Sequence, residues 1–355
     1  MHAAGLLAVA AGMGHTVHVN CIGRLGNQLF QAHSAAGIAL KNNMGLCVTW
    51  CNSLNDHFEN VAPPCSEPRP PHEVSENGQY ATFHDWKLKK STAVSKYLQS
   101  FRYFPPRSIR FKPAVQLAAR TFVERTAFQN VTVGIHVRHG DLIGLRYVRF
   151  PPESYFVAVL ARFRARFKDP VFIVASDEPE WCLRQPFFRS ADVAIIKEPH
   201  FPVMDMAILA ECDHIALTAG TFGWWAAYLG AHRAGGDVVY YADEFDMDHP
   251  TNQGNVVTTD YYPENWVALK SPNHDPGRRR LPLATTETHW ASSISSCMKH
   301  LQHKSFETSI SKFFSENGQE KKLYEAPEKF QADATVIELG AYSGRDIGVF
   351  FQKAS

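Results

Sequence analysis

The sequence predicts an α/β fold built from parallel sheets. From residue 131 onward, short apolar runs alternate with segments whose apolar residues recur at helical spacing. Near the start, an alternating run at residues 16–22 passes through a glycine-containing turn into a helix-like segment, which is the pattern of a βα unit. At 355 residues, the chain has room for two or three domains with sizeable cores.

The first 130 residues contain the weaker signals. After the strand at residues 16–22, a helix is predicted from its apolar positions, which include Leu29, Phe30, Ala32, Ala36 and Ile38. Residues 52–90 are rich in Pro, Asn, His and charge and have little periodicity, so we predict a long irregular excursion. Residues 110–130 predict a further helix.

The second half has the strict alternation of a doubly wound sheet. The predicted strands are residues 131–137, 171–175, 191–196, 215–218 and 238–241. The predicted helices are residues 153–167, a segment after Pro179, and residues 204–212 and 222–229. The uncharged run at residues 215–231 approaches the length of a membrane span, but Gly220 and Gly223 interrupt it, which favours a strand, a turn and a helix.

Composition divides the chain into three parts. We predict an N-terminal α/β domain at residues 1–130, a second α/β domain at 131–270 and an irregular, poorly defined tail at 271–355. Within the tail, residues 336–346 are similar to the first motif of S-adenosylmethionine-dependent methyltransferases. The chain stops at Ser355, so we expect a tail or the stub of a further domain rather than a complete methyltransferase.

The most informative segment is residues 134–141, Gly-Ile-His-Val-Arg-His-Gly-Asp. An apolar strand here runs directly into a polar loop, and in open α/β folds such loops line the ligand crevice. Arg138 remains charged at any working pH and can bind phosphate oxygens through two parallel hydrogen bonds. Arg138 and Asp141 are therefore the candidate catalytic residues. The alternative is a structural salt bridge between them.

Two glycine-containing turns precede predicted helices. Residues 23–28 read Gly-Arg-Leu-Gly-Asn-Gln, and residues 220–229 read Gly-Thr-Phe-Gly-Trp-Trp-Ala-Ala-Tyr-Leu. The N-terminus of a helix offers free backbone N–H groups to an anion. Either turn alone is a weak signal, because many such turns only connect a strand to a helix.

Together with residues 97–104 (Tyr-Leu-Gln-Ser-Phe-Arg-Tyr-Phe), these segments resemble, in this order, the galactoside α-1,2-fucosyltransferases of glycosyltransferase family 11. The resemblance covers roughly residues 16–270. It implies a GT-B-like architecture of two facing Rossmann-like domains, with the acceptor at residues 1–130 and the donor at 131–270. It further implies an inverting transfer of L-fucose from GDP-fucose to the 2-hydroxyl of a terminal galactoside on a glycan.

The resemblance also implies a donor-binding set. Its members are Arg24, Gly26, Asn27, His136, Arg138, Asp205, Thr221 and Phe222. Asp205 matches a position that in related enzymes reads the guanine amino groups, although a helix N-cap carboxylate is an equal alternative. His139 departs from the family, whose members usually carry a second arginine there.

Transfer to a hydroxyl requires removal of its proton, and in an inverting reaction we expect a carboxylate within reach of the acceptor oxygen. Asp141 is the nearest candidate for a general base and Glu153 a distant second. In the alternative mechanism, the leaving phosphate accepts the proton and Asp141 only positions other groups. Trp224, Trp225 and Tyr228 stand at helical spacing, which favours core packing over a sugar-stacking platform.

No metal and no other cofactor is expected. Asp246-Met247-Asp248 matches the DxD pattern by which many GT-A enzymes hold a divalent cation. Because it follows the last predicted strand among further acidic residues, Asp243 and Glu244, we predict a solvated loop instead.

The remaining features concern compartment and partners. A formal net charge of +1 gives no electrostatic case for nucleic acid. Of seven cysteines, Cys47, Cys51 and Cys65 are close enough for a disulfide in an oxidising lumen, with the pairing open, and Cys182 and Cys212 are predicted to be buried thiols. Animal members of the family look like Golgi membrane proteins, so the resemblance implies association with the lumenal face of the Golgi membrane. Residues 3–11 are too short to span a bilayer, so this association would need an anchor not evident here.

Residues 130–132, Asn-Val-Thr, form one glycosylation sequon, although it abuts an apolar strand. Two other functions stay open. Protein O-fucosyltransferases share similar Gly-Asn-Gln and His-x-Arg segments, but residues 224–229 favour the galactoside family. His139 and the tail instead suggest a catalytically impaired protein that binds a GDP-sugar or a glycan.

Overall fold

The computed structural model describes residues 14–51, 54–62, 65, 67–76, 81–106, 109–197, 202–230, 235–271, 310–312 and 350–352. One compact unit, residues 1–196 and 203–280, contains two parallel sheets. The second unit comprises residues 197–202 and 281–355. The predicted methyltransferase-like motif at residues 336–346 and the apolar segment at residues 3–11 lie outside the described residues.

The first half forms a four-stranded parallel sheet. Its elements in chain order are β1 (Thr16–Asn20), α1 (Leu25–Lys41), β2 (Gly45–Thr49), α2 (Leu54–His57), β3 (Phe58–Glu59), β4 (Glu73–Ser75), β5 (Thr92–Ser95), a 3₁₀ turn (Phe101–Tyr103), β6 (Arg110–Phe111) and α3 (Pro113–Ala127). The strand order is β2-β1-β5-β4, while β3 and β6 form a separate antiparallel pair. The order changes direction between β1 and β5, so the carboxyl end of β1 borders a crevice at that point.

The second half forms a six-stranded parallel sheet. Its elements are β7 (Thr132–Val137), a 3₁₀ turn (Asp141–Gly144), α4 (Glu153–Arg166), β8 (Val171–Ser176), α5 (Pro179–Arg184), a 3₁₀ turn (Pro186–Phe188), β9 (Val193–Ile195), α6 (Pro202–Glu211), β10 (His214–Leu217), α7 (Thr221–Gly230), β11 (Val238–Tyr241), α8 (Thr258–Tyr261) and β12 (Val267–Leu269). The strand order is β12-β11-β10-β7-β8-β9. Read from β9, this is the 3-2-1-4-5-6 order of a dinucleotide-binding fold, whose switch point lies between β7 and β10.

The predicted α/β fold with parallel sheets is confirmed. In the second half, every predicted strand and helix is present within a few residues, and residues 215–230 form most of β10, a turn and all of α7 rather than one long helix. No helix in the described part of the chain has the length and apolarity needed to cross a bilayer. The domain boundaries at residues 130 and 270 stay a prediction.

The prediction for residues 52–90 is wrong in part. This segment contains α2, β3 and β4, and β4 pairs with β5 in the first sheet. Glu76, which follows β4, is 1% exposed, and one of its oxygens accepts the backbone N–H of Leu98 at 3.0 Å. A polar three-residue strand gives no periodic signal, so its place in the sheet is set by pairing with β5.

Aromatic packing joins the two halves. Phe30 of α1 contacts Trp224 and Trp225 of α7, with ring centroids 4.5 and 5.3 Å apart. Trp224 and Trp225 are 1% and 0% exposed, so the prediction that these residues pack in the core is confirmed. Tyr228 stacks on Trp224 at 5.0 Å.

Hydrogen bonds and an ion pair around Asp260 also connect the two halves. The buried Asp260 of α8 accepts hydrogen bonds from the guanidinium of Arg102 at 2.5 Å and from the backbone N–H of Phe83 at 2.9 Å. The Ser100 hydroxyl donates to the backbone carbonyl of Asp260 at 2.7 Å. These contacts fix the segment 97–104 of the first half against the second.

In the second unit, the described residues are strands β13 (Ile310–Lys312) and β14 (Phe350–Gln352), which pair antiparallel, together with Lys197 and Pro202.

Candidate active site

Two helix N-termini meet between the sheets. Gly26 in the first turn of α1 lies so close to α7 that an added Cβ would be 2.7 Å from the carbonyl carbon of Thr221 and 2.8 Å from the nitrogen of Phe222. The Thr221 hydroxyl donates to the side-chain oxygen of Asn27 at 3.0 Å, and the Gln99 amide donates to the same oxygen at 2.9 Å. Only glycine fits at position 26, and Asn27 links the two halves.

Arg138 lies directly after β7, at the switch point of the second sheet. Its backbone N–H donates to the Thr218 hydroxyl, which follows β10, at 3.0 Å. Its guanidinium donates to both oxygens of Asp141 at 3.0 and 2.9 Å. Arg24, from the first half, donates to one of the same carboxylate oxygens. One carboxylate is therefore held between two guanidinium groups from opposite halves of the molecule.

The glycine turn before α7 supports this arrangement. Gly220 has φ +91°, and a Cβ added there would lie 2.5 Å from Nη1 of Arg138. A residue with a side chain would be strained in this conformation and would also displace the guanidinium. The turn thus holds Arg138 over the start of α7.

The charges at the site reinforce one another. Hydrogen bonds from Arg138, and then the positive charges of Arg138 and Arg24, hold the pKa of Asp141 below its usual range against the opposing effect of burial. Burial alone would lower the pKa of Arg138, but Asp141, Asp177 and Glu244 outweigh it and raise that pKa. Both arginine and carboxylate are therefore ionised at neutral pH.

His136 lies beneath the loop rather than at its surface. It is 5% exposed, and burial, followed by the charge of Arg138, lowers its pKa to about 3, so the ring is neutral. The ring packs on Phe222 with centroids 5.3 Å apart, and a Cβ added at Gly223 would lie 2.3 Å from its Nδ1. His136 and Phe222 thus form one wall of the turn that carries Arg138.

Glu244 is a buried acid behind the site. It is 3% exposed, so the prediction of a solvated loop after β11 is wrong for this residue. Its carboxylate accepts the backbone N–H of Gly220 at 2.9 Å and the hydroxyl of Tyr262. Burial raises the pKa of Glu244 to about 7, although both hydrogen bonds and the charge of Arg138 act in the other direction.

The first aspartate of the DxD segment forms hydrogen bonds within the protein. Asp246 accepts a hydrogen bond from the guanidinium of Arg149 at 2.6 Å and one from the backbone N–H of Asp248 at 3.2 Å. Within the described ranges, no group of three or more His, Cys, Asp and Glu side chains is arranged to hold a metal ion.

Comparison with known proteins identifies the family. Residues 76–270 match the family model described as glycosyl transferase family 11. The chain belongs to this family. The matched range includes the Arg138 loop and the turn before α7, whereas the Arg24 turn precedes it.

Curated relatives of the family 11 domain are similar over shorter segments. Galactoside 2-alpha-L-fucosyltransferase Sec1 of Mus musculus is 36% identical over 172 residues, which are 44% of this chain and 44% of the relative. Galactoside alpha-(1,2)-fucosyltransferase 1 is 40% identical over 117 residues in Mus musculus, or 31% of this chain and 30% of the relative. The match thus spans less than half the length of these relatives. Among solved structures, the fucosyltransferase NodZ from Bradyrhizobium has a TM-score of 0.44 and 15% identity, covering 61% of this chain and 92% of that one.

His139, predicted from the sequence to differ from the residue usual in the family, is packed among aromatic rings. Its ring stacks on Trp181 with centroids 4.3 Å apart and meets Phe150 edge-on at 5.1 Å. Its backbone N–H donates to Asp177 at 2.8 Å. The imidazole therefore contributes to packing against α5, next to the Arg138 loop.

Two other predicted residues lie in the first turns of helices in the second half. Asp205 lies in the first turn of α6, where it is buried. Because α6 follows β9 and leads to β10, its N-terminus faces the carboxyl edge of the second sheet, the same edge as Arg138. Glu153 is exposed in the first turn of α4. The roles proposed for both stay predictions.

Two disulfides brace the first sheet. Cys21 pairs with Cys51 and Cys47 pairs with Cys65. The first bond joins the residues that follow β1 and β2, directly before the Arg24 turn. Cys182 and Cys212 are free and buried, so their prediction as buried thiols is confirmed.

Proposed function

We propose that this family 11 protein is an inverting galactoside 2-α-L-fucosyltransferase. It transfers L-fucose from GDP-fucose to the 2-hydroxyl of a terminal galactoside on a glycan. Family membership and the names of the curated relatives support this function. The observation that carries it is the meeting of Arg24 and Arg138 on the Asp141 carboxylate.

In this proposal, the diphosphate of the donor takes the place of Asp141 between the two arginines. Before the donor binds, Asp141 balances both cations. A diphosphate brings more negative charge and more acceptor oxygens, each suited to a guanidinium. As the bond to fucose breaks, negative charge grows on the leaving phosphate, and Arg138 stabilises it.

The helix N-termini complete the donor site. In the turn before α7, the Gly220 N–H already donates to Glu244 and the Thr221 hydroxyl already donates to Asn27. The following N–H groups of α7 have no partner within the helix, and the positive end of its dipole favours an anion. Arg24, Gly26, Asn27, His136, Arg138, Asp205, Thr221 and Phe222 form the proposed donor-binding set. Two arginines and these N–H groups can neutralise the diphosphate, so we expect no metal requirement.

In this proposal, the proton of the acceptor hydroxyl passes to the leaving phosphate. Asp141 is a positioning residue, which holds Arg138 and Arg24 in place before the donor binds. While Asp141 contacts the two arginines its pKa is lowered, so in that state it is a weak base. Asp141→Asn separates the two roles, because loss of a base removes the acidic limb from the pH profile of kcat/KM. Loss of a positioning group lowers kcat/KM and leaves that profile in place.

The proposed compartment is the oxidising lumen of the Golgi. The Cys21–Cys51 and Cys47–Cys65 disulfides support it, because structural disulfides persist in secretory compartments. Membrane association would be supplied by an anchor that is not evident among the described residues.

Incubation with labelled GDP-fucose and a panel of acceptors, with and without EDTA, tests the proposal. We expect transfer to terminal galactosides, unaffected by chelation. Transfer only to folded protein acceptors would indicate a protein O-fucosyltransferase. GDP binding without turnover on any acceptor would indicate the impaired binding protein. Loss of activity in EDTA, restored by Mn²⁺ and mimicked by Asp246→Asn, would replace the metal-free mechanism.

A further inference from the structure

A tight turn between α3 and β7 presents Asn130 to solvent. The backbone N–H of Asn130 donates to the carbonyl of Ala127 at 2.9 Å, which closes a four-residue turn. The two central residues, Phe128 and Gln129, have φ of 47° and 73°. Positive φ at both central positions is the conformation of a type I′ turn. Asn130 is exposed on this turn.

Asn130, Val131 and Thr132 form the sole Asn-x-Ser/Thr sequon of the 355 residues. Such a sequon accepts an N-linked glycan only in the secretory pathway. The Cys21–Cys51 and Cys47–Cys65 disulfides independently indicate that the chain folds in that pathway. The sequon and the disulfides therefore indicate the same compartment, the secretory pathway.

Phe128 is the unusual residue of this turn. It ends α3 in the left-handed region, with φ 47° and ψ 48°, where glycine or asparagine is usual. The residue is 75% exposed. An aromatic ring placed here costs backbone strain and leaves a large apolar surface in water, so local folding gives no reason for it. A sugar ring on Asn130, two residues away, would cover that surface with its apolar face.

The position is compatible with activity. Asn130 precedes the amino end of β7, whereas Arg138 follows the carboxyl end of the same six-residue strand. At about 3.3 Å per residue, the two ends of β7 are roughly 20 Å apart. A glycan on Asn130 therefore lies at the edge of the sheet opposite the candidate active site.

We propose that Asn130 is an N-glycosylation site and that Phe128 packs against the first N-acetylglucosamine. In the modification, the side-chain nitrogen of Asn130 forms a bond to the anomeric carbon of a lipid-diphosphate-linked oligosaccharide. The bond from that carbon to the diphosphate breaks, the lipid diphosphate leaves with the bonding electrons, and the amide loses one proton. The inference is independent of the proposed sugar transfer.

The fold also sets the time of modification. In the folded chain, the hydroxyl of Thr132 is buried, accepting the backbone N–H of Asp213 at 2.9 Å and lying 2.9 Å from its carboxylate. The oligosaccharide must therefore be added before β7 joins the sheet, while Thr132 is still accessible to the transferase.

Occupancy is tested by secreting the full chain from cultured animal cells behind a cleavable leader. We expect one glycan, removed by peptide N-glycosidase F with conversion of Asn130 to Asp, and absent from Asn130→Gln. Disulfide-bonded protein recovered from the medium with an unmodified Asn130 would overturn the proposal. A folded, unglycosylated sample should not be modified by microsomal extract.

The packing claim is tested by thermal unfolding. Protein from cells that retain high-mannose glycans is trimmed either to one N-acetylglucosamine by endoglycosidase H or to none by peptide N-glycosidase F. We expect the single sugar to raise Tm by roughly 2–4 °C. Phe128→Gly should abolish this difference, whereas Phe122→Ala, a change of another exposed aromatic on α3, should preserve it. An unchanged difference in Phe128→Gly would refute the contact.

Discussion

Replacing Glu244 by Gln should change how the stability of the protein depends on pH. The carboxyl group is fully buried, and its pKa rises from an ordinary value of 4.5 to about 7. Below pH 4.5, the folded and unfolded states both hold the proton, so the group contributes nothing. Between pH 4.5 and about 7, the unfolded state releases the proton and the folded state keeps it. Stability therefore falls as pH rises through this window and is constant above it.

The magnitude follows from the two pKa values. The interval from 4.5 to about 7, at 1.36 kcal/mol per pH unit, corresponds to about 3 kcal/mol of lost stability. Gln has nearly the same shape and can still accept the Gly220 N–H, but it does not titrate. As pH rises from 4.5 to 8.5, the free energy of unfolding of Glu244→Gln should therefore increase by about 3 kcal/mol relative to that of the wild type.

Urea unfolding followed by tryptophan fluorescence at several pH values measures this difference, with equal m-values as the check on comparability. Tyr262→Phe is the matched control. It removes a hydrogen bond that lowers the pKa of Glu244, so the decline in stability should extend to higher pH. In the double variant with Glu244→Gln, Tyr262→Phe should no longer change the pH dependence of stability. Parallel stability curves for the wild type and Glu244→Gln would refute the reasoning.

Three further substitutions test the site. Arg138→Ala should lower kcat/KM by about 2–4 kcal/mol of transition-state stabilisation and weaken GDP binding by calorimetry, and near-normal turnover would contradict its role. Gly26→Ala should destabilise the protein by about 1–3 kcal/mol in urea, because its Cβ would meet the Thr221 backbone, while Gly144→Ala, with no atom within 4 Å of the new Cβ, should be neutral. His139→Arg should keep full activity with an equal or lower donor KM, since a guanidinium can stack on Trp181 as the imidazole does; a clear loss would show that the imidazole itself is required.

The second sheet was predictable because its strands are locally distinct. β7, β8 and β11 are runs of apolar, mostly β-branched or aromatic residues, and helices of regular spacing separate them. In the first sheet, β2, β4 and β5 were not predicted. β2 reads Gly-Leu-Cys-Val-Thr and β4 reads Glu-Val-Ser, so neither has a strong preference of its own. Pairing with β1 and β5 makes them strands, and pairing partners are not visible in a single sequence.

The residues of the candidate site were likewise predictable only in part. Arg138 and Asp141 were predictable because they follow an apolar strand, and such positions lie at the carboxyl edge of a sheet. Their pairing with Arg24 depends on how two sheets face one another. Glu244 lies among acidic loop residues, where solvent exposure is the ordinary expectation. Its burial depends on Tyr262 and Gly220, each distant from it along the sequence.

The topology explains why the two halves meet at charged residues. Each sheet reverses its strand order at one place, between β1 and β5 in the first and between β7 and β10 in the second. At such a place, the helices leave in opposite directions and open a crevice at the carboxyl ends of the strands. Arg24 follows β1 and Arg138 follows β7, so the two crevices face each other across Asp141. An anion bound there would contact both halves at once, which couples donor binding to the joint between them.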